Sequence, residues 1–306
     1  MNLEKVPDID CLYDCIGKKH FKKFLFKSVI DNRLNISSNT YKDKLLKLNV
    51  IKLFWFNKNF LSPFMHGYSH FDFAEDIIIN EIEYRNLYNI LGDDKSRAIL
   101  LAVLKYKLSL NRSFLDSFAQ HALDQYFDPL LISFGSDEVI ADCGGFIGDT
   151  ANSYFRMKNR AKLYYLIEPS EKNINIAKRS LKEFDNIHFC NCATGLRNDD
   201  VSFGSDGIGG IISAQGNNKV KQFSLDTLIK EPLTFIKMDI EGAEIESLKG
   251  AREQIKNNKP KLAICAYHKP DDAWQIVKTL TKLRPDYKFY FRLYFSPYCE
   301  AVIYAL

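Results

Sequence analysis

Two groups of residues in the C-terminal half of the chain have the types and spacing to do chemistry. The first is the run from Val139 to Thr150, VIADCGGFIGDT. An apolar stretch ends at Asp142, then come Gly144, Gly145 and Gly148, and Asp149 and Thr150 open a helix. Glycines at such a turn allow positive φ and let a ligand lie on the backbone. A helix start leaves amide N–H groups without partners. The spacing is Asp-x-Gly-Gly-x-x-Gly, so the Gly-x-Gly-x-x-Gly dinucleotide fingerprint is not met, and no Gly-Lys-Ser/Thr follows as in a phosphate loop. Asp142 would repel a pyrophosphate but suits a cationic amino group.

Glu168, before Pro169, ends the next apolar run, where a carboxylate can accept both hydroxyls of a ribose. NAD sites share that feature, but the acid at Asp142 argues against a dinucleotide. An ammonium, a carboxylate, a sulfonium and a ribose together describe S-adenosylmethionine. Each residue also has a plainer reading. The glycines could serve a tight turn, Asp142 could cap a helix, and Glu168 could be a strand-end charge. Their placement at consecutive strand ends favours a cofactor site, because ligands of open parallel sheets lie there.

The second group is Lys237-x-Asp239-x-Glu241, with His268 further on. The three alternate along a strand and its exit and so share one face. Asp239, Glu241 and His268 are candidate bases for a hydroxyl that must lose a proton, and histidine titrates near neutrality. Lys237 could instead form a structural salt bridge with Asp239 or Glu241. Glu244 reads as a helix-start charge favoured by the helix dipole. His268 could be a surface turn residue. The carboxylates could also hold a divalent metal, but no histidine completes a recognisable ligand set, so metal is the lesser reading.

The elements that must position these residues follow from periodicity. The first 134 residues read as a mainly helical domain. One helix runs through Phe21–Ile30 after the basic Lys18-Lys19-His20, one over Ile77–Leu91, and one is capped by Ser96. From residue 135 strands alternate with helices. The strands fall at Val139–Asp142, Ala161–Glu168, Ile187–Asn191, Thr234–Asp239 and Lys261–Tyr267, and a closing pair at Tyr287–Phe295 and Glu300–Leu306 has no helix between. This pattern predicts an α/β fold, a doubly wound, mostly parallel sheet with an antiparallel edge. The glycine- and serine-rich stretch Gly204–Lys219 reads as a solvent loop or a lid, with Ser213 a candidate cofactor contact.

The whole chain sets limits. It has 306 residues, 46% hydrophobic and 26% charged, as in a soluble globular protein. The net charge of +4 is mild and spread out, with no basic stripe for nucleic acid. Seven cysteines in no regular frame favour reduced thiols and a cytoplasmic setting. No signal-peptide core is present, and no uncharged stretch approaches the ~20 residues of a membrane span.

The stretches VIADCGGFIGDT (139–150), LIEPS (166–170), NCATG (191–195), SLDTL (224–228), FIKMDIEGAEIESLKG (235–250) and KPKLAICAY (259–267), in this order, resemble the FkbM-type methyltransferases. These are a branch of the class I S-adenosylmethionine-dependent enzymes. Lys-x-Asp-x-Glu-Gly-x-Glu is the most specific element. The resemblance implies a Rossmann-like seven-stranded sheet with its last strand antiparallel. It implies S-adenosylmethionine as cofactor and an oxygen acceptor, often on a sugar or secondary metabolite. It places Asp142, Gly144, Gly145 and Gly148, with Asp149 and Thr150, around the methionine part. Glu168 and Pro169 fall at the ribose, Cys192 and Ala193 near the adenine, and Asp239 and Glu241 facing the methyl. The expected partner is a small-molecule or glycan acceptor. The helical domain is left for acceptor recognition or self-association into a homo-oligomer. An NAD-linked oxidoreductase and a non-catalytic scaffold module are the alternatives. A ligand that stabilises the fold would separate them.

Overall fold

The computed structural model describes residues 3–17, 68, 70–118, 124–157, 160–205, 210–212, 218–295 and 300–306. The basic run at 18–20, the helix expected over 21–30 and Ser213 lie outside them. The N-terminal part is helical, with α1 (Ile9–Ile16), α2 (His70–Ile79), α3 (Glu81–Ile90), α4 (Asp94–Ser109) and the short α5 (Ser113–Asp116). Asp8 caps α1 by accepting from the Cys11 amide at 2.8 Å. No described helix is long and apolar enough to cross a membrane.

The helix expected over 77–91 is two helices. The chain leaves helical geometry at Asn80 (φ −97°, ψ 36°). There the Asn80 side chain donates to Asp76, the local competition that disfavours asparagine within helices. Ser96 does not cap α4. Asp93 does, accepting from the Ser96 amide at 2.7 Å. The Ser96 hydroxyl instead accepts from the Phe291 amide and from Arg292.

The C-terminal part alternates as expected: β1 (Val139–Cys143), α6 (Asp149–Arg156), β2 (Leu163–Ile167), α7 (Glu171–Ser180) and β3 (Ile187–Cys190). After β4 (Ala193–Thr194), β5 (Asp199–Ser205), β6 (Gly210–Ile212), β7 (Asn218–Phe223) and α8 (Leu225–Leu228) comes β8 (Phe235–Met238). The chain ends with α9 (Glu244–Gly250), α10 (Arg252–Asn258), β9 (Lys261–Cys265), α11 (Asp272–Leu283), β10 (Phe289–Phe295) and β11 (Glu300–Ala305).

Seven strands form one sheet in the order β10-β11-β9-β8-β1-β2-β3. The five strands from β9 to β3 are parallel, and β11 runs antiparallel between β9 and β10. The central strand β1 is buried along its whole length, as a strand covered on both faces must be. The order reverses between β1 and β8, which places the crevice of such a sheet at their C-terminal ends.

The stretch 204–219 is not simply a loop. Its described parts belong to β5, β6 and β7, which with β4 make a separate four-stranded sheet. Val201 and Val220 face each other across β5 and β7. Glycine and serine hid this reading, because a hairpin with few apolar residues has no clear period.

The N-terminal helices share one apolar cluster with the sheet, running from Leu12 and Leu104 to Ile264 and Phe291. Polar ties reinforce it. Tyr84 donates to the Pro270 carbonyl at 3.2 Å, and Trp274 donates to Asp76 at 3.3 Å. Arg292, 3% exposed in its side chain, pairs with Asp93 at 2.6 Å. The six described cysteines are unpaired.

Candidate active site

The parallel register brings the strand ends level, since Cys143 pairs with Ile167 on one side and with Met238 on the other. The glycine turn lies over these ends. Gly144 has φ +79°, and a Cβ there would lie 1.9 Å from the Asp239 carbonyl oxygen. Only glycine allows the turn to rest against the exit of β8. The amides of Gly144 and Gly145 both donate to the Ile167 carbonyl. Gly148 (φ +85°) begins α6 and has no side chain to cap it, which leaves the helix start for another acceptor. Asp149 is exposed, and Thr150 is buried in the same first turn.

Glu168 joins the second strand end to this turn. Its Oε1 accepts from the Ser170 amide at 2.9 Å, and its Oε2 from the Phe146 amide at 3.2 Å. Burial raises its pKa, against those amides and Asn173, which favour the ionised form. Pro169 is half-buried and leads to Ser170, the cap of α7. Cys192 and Ala193, each 4% exposed, follow the end of β3.

Asp142 and Lys237 face each other on neighbouring strands, their charged atoms 3.0 Å apart and both side chains buried. Tyr164 donates to the other Asp142 oxygen at 2.9 Å. Lys237 also donates to the Gly144 carbonyl at 2.7 Å. Burial opposes its charge, but Asp142 and Asp239 outweigh burial and raise its pKa. The salt bridge considered for Lys237 therefore forms with Asp142, across the sheet, rather than with Asp239 or Glu241 along its own strand. Asp142 is turned toward Lys237 and Tyr164.

Asp239 and Glu241 leave β8 together and meet His268, which follows β9. His268 Nε2 lies 3.2 Å from Asp239 Oδ1 and 3.4 Å from Glu241 Oε2. Its Nδ1 lies 2.9 Å from Glu244 Oε1. His268 is 1% exposed, so it is not a surface turn residue, and Glu244 is fully buried rather than a mere helix-start charge. Burial disfavours the imidazolium, yet Glu244 and Asp239 overcome burial and hold its pKa well above the ordinary value. Burial would raise the pKa of Asp239. Its bonds to His268, the charges of His268 and Lys237 and the Tyr126 hydroxyl reverse that and hold it well below the carboxylate range. Asp239, Glu244 and His268 each offer a ligand atom within 4.8 Å of the others. The sequence spacing hid this set because the neighbouring strand delivers the histidine.

Two tyrosines complete the site. Tyr126 donates to Asp239 Oδ2 at 2.8 Å, and its ring lies 5.1 Å from the Lys237 ammonium. Tyr267 donates to Oδ1 at 3.2 Å. Nothing in the sequence around Tyr126 signals this contact, which spans 113 positions. Glu244 stands in the Lys-x-Asp-x-Glu-Gly-x-Glu run, and the adjacency of β8 and β9 is the signal that pairs it with His268. Among described non-glycine residues with positive φ, Tyr126 (72°), Phe146 (43°) and Glu241 (57°) all border this site. Strain of this kind gathers where surrounding structure fixes a functional geometry.

The donor set suits a sulfonium-bearing nucleoside better than a dinucleotide. Lys237 is committed to Asp142 and the Gly144 carbonyl, so it is not offered to a pyrophosphate. The partly exposed charges at the β8 exit are the carboxylates of Asp239 and Glu241.

The methyltransferase FkbM domain family matches residues 142–293. No curated protein matches the chain. Among solved structures, the methyltransferase FkbM from Methylobacillus flagellatus KT is 28% identical with a TM-score of 0.69. The match covers 77% of this chain and 61% of that one, so this chain spans about three fifths of that protein's length. A fibrillarin from Aeropyrum pernix, solved with natively bound S-adenosyl-L-methionine, is 11% identical with a TM-score of 0.38, over 64% of this chain and 74% of that one. At that level the likeness carries no argument for this chain. Residues 142–293 thus carry a methyltransferase FkbM domain.

Proposed function

We propose that the chain is an O-methyltransferase that transfers the methyl group of S-adenosylmethionine to a hydroxyl of a small molecule or of a sugar unit in a glycan. The observation that carries this reading is the meeting of Asp239, Glu241 and His268 at two adjacent strand ends, against the glycine turn. The chemistry the bound cofactor supplies is an electrophilic methyl on a sulfonium. The turn from Gly144 to Gly148, the start of α6 with Asp149 and Thr150, and Glu168 with Pro169 would hold it, and Cys192–Ala193 would border its base.

The protein's own residues place the acceptor. Alignment of the acceptor oxygen can supply much of the acceleration. Asp239 and Glu241 keep about a quarter of their side-chain surface exposed, enough to accept a hydroxyl proton. Asp239, held ionised, is a weak base and a good orienting acceptor. Glu241 is then the carboxylate to take the proton. His268, gripped at both ring nitrogens, fixes their positions. Tyr126 precedes the sheet in sequence, which supports a part for the N-terminal segment in shaping the acceptor side.

Calorimetry and thermal shift with S-adenosylmethionine, S-adenosylhomocysteine and NAD test the reading. Binding of the first two stabilises the fold, and no response to either removes the proposal. With an identified hydroxyl acceptor, unchanged turnover in both Asp239→Asn and His268→Ala would also sink it.

A further inference from the structure

We propose that the ends of β8 and β9 form a divalent-cation site, with His268 Nε2, Asp239 Oδ1 and Glu241 Oε2 as ligands and Glu244 as the carboxylate that holds the histidine. The spacing fits. Ligand atoms about 2.1 Å from one cation lie about 3.0 Å apart at right angles and about 3.4 Å apart at tetrahedral angles. The observed separations from Nε2 are 3.2 Å to Asp239 and 3.4 Å to Glu241.

The histidine is oriented as a ligand should be. Metal-bound histidines commonly give their second nitrogen to a carboxylate, which fixes the tautomer and the ring. Here Nδ1 meets Glu244 Oε1 at 2.9 Å, and the Ile240 amide donates to that same oxygen at 2.9 Å. Asp239 is braced in turn by the hydroxyls of Tyr126 and Tyr267.

Glu244 gives an independent indication. It is fully buried, it belongs to the group within 4.8 Å, and its Oε2 has no hydrogen-bond partner among the described residues. A buried carboxylate oxygen left so is costly unless a positive charge stands near; without a cation the His268 imidazolium supplies it, and a bound ion would take that part as Nε2 gives up its proton. The charge balance agrees. Asp239, Glu241 and Glu244 converge on one histidine, and the nearby Lys237, whose charge acts on Asp239, is shared with the buried Asp142. Asp239 and Glu241 are partly exposed, which gives a cation an entry path and leaves coordination positions open toward the crevice. One imidazole with carboxylate oxygens and no sulfur suits a divalent first-row ion, Mn²⁺ and Zn²⁺ among them, and Mn²⁺ is the one with a convenient paramagnetic readout. On the methyltransferase reading, those open positions would receive acceptor oxygens, so an acceptor with neighbouring hydroxyls fits best.

Titration of the full chain with MnCl₂, followed by calorimetry and by loss of the free Mn²⁺ paramagnetic signal, tests the site without any turnover. About one Mn²⁺ per chain is expected. Asp239→Asn, Glu241→Gln and His268→Ala should each weaken binding at least tenfold, and Glu244→Gln by about 10- to 100-fold. Glu241 is partly exposed, so Glu241→Gln decides the matter even where a buried variant fails to fold. No saturable binding at millimolar Mn²⁺, or binding unchanged in Asp239→Asn and Glu241→Gln, overturns the proposal. Mn²⁺ binding without S-adenosylmethionine binding would keep the cation site and remove the methyltransferase reading, and the reverse result would remove the cation site alone.

Discussion

Asp142 and Lys237 are direct partners on β1 and β8, with their charged atoms 3.0 Å apart and both side chains buried. The pair stands beneath the glycine turn, and Lys237 reaches on to the Gly144 carbonyl. It joins the two strands between which the sheet order reverses, so it fixes the floor of the crevice.

Removing one member leaves the other charged and buried. Lys237→Met should therefore cost about 3–5 kcal/mol of stability. Replacing both, as Asp142→Asn with Lys237→Met, should cost clearly less than the sum of the single changes. Urea unfolding of the four proteins measures this, and strict additivity would show that the pair is not coupled.

Gly144→Ala meets two obstacles, a positive φ and a carbonyl oxygen where the new methyl must go. The left-handed backbone costs about 1–2 kcal/mol, and overpacking costs about 1–3 kcal/mol more. The turn must lift off β8, so S-adenosylmethionine affinity should fall at least tenfold by calorimetry. Gly135→Ala, whose nearest neighbour would be 4.0 Å away, is the control and should stay within about 0.5 kcal/mol of the parent.

The parallel sheet was legible because β1 and its neighbours are short apolar runs that end in Asp142, Glu168 and Asp239, each followed by a helix. The order of the strands then put those acids together. What escaped was set by contacts distant in sequence. Lys237 answers to Asp142 across the sheet, Glu244 to His268 across two strand ends, and Tyr126 to Asp239 from outside the sheet. No local period encodes such pairs. The hairpin sheet of β5 to β7 escaped for another reason, since its half-buried Gly204 and exposed Lys219 lack the apolar–polar alternation that marks a half-buried strand. Asn80, which divides α2 from α3, was a break signal hidden within an otherwise continuous helical period.

Acid should loosen the join between α4 and the sheet edge. Burial alone would raise the pKa of Asp93, but the bonds from Arg292 and Ser96 lower it to about 2. A carboxylate depressed in the fold stabilises it fully above its unfolded pKa, near 4, and loses that contribution as pH falls toward 2. Asp93→Asn keeps a good helix cap but removes the charge. Its urea midpoint should lie below the parent's at pH 5, and the two curves should converge between pH 4 and about pH 2. Parallel curves would show that the Asp93 charge does not contribute.

Tyr126 and Tyr267 donate to different oxygens of Asp239, at 2.8 Å and 3.2 Å. A buried hydrogen bond to a charged group contributes about 1.5–3 kcal/mol, and the shorter one is expected to contribute more. Tyr126→Phe keeps the ring, and with it the contact to the Lys237 ammonium, while it removes the hydroxyl. It should destabilise the chain by about that amount, and Tyr267→Phe by less. The same order should appear in turnover once an acceptor is known, because Asp239 freed at Oδ2 can swing away from the acceptor oxygen while His268 still holds Oδ1. Chemical denaturation of the two variants checks the first statement, and equal or inverted losses would show that Tyr126 is packing rather than bracing Asp239.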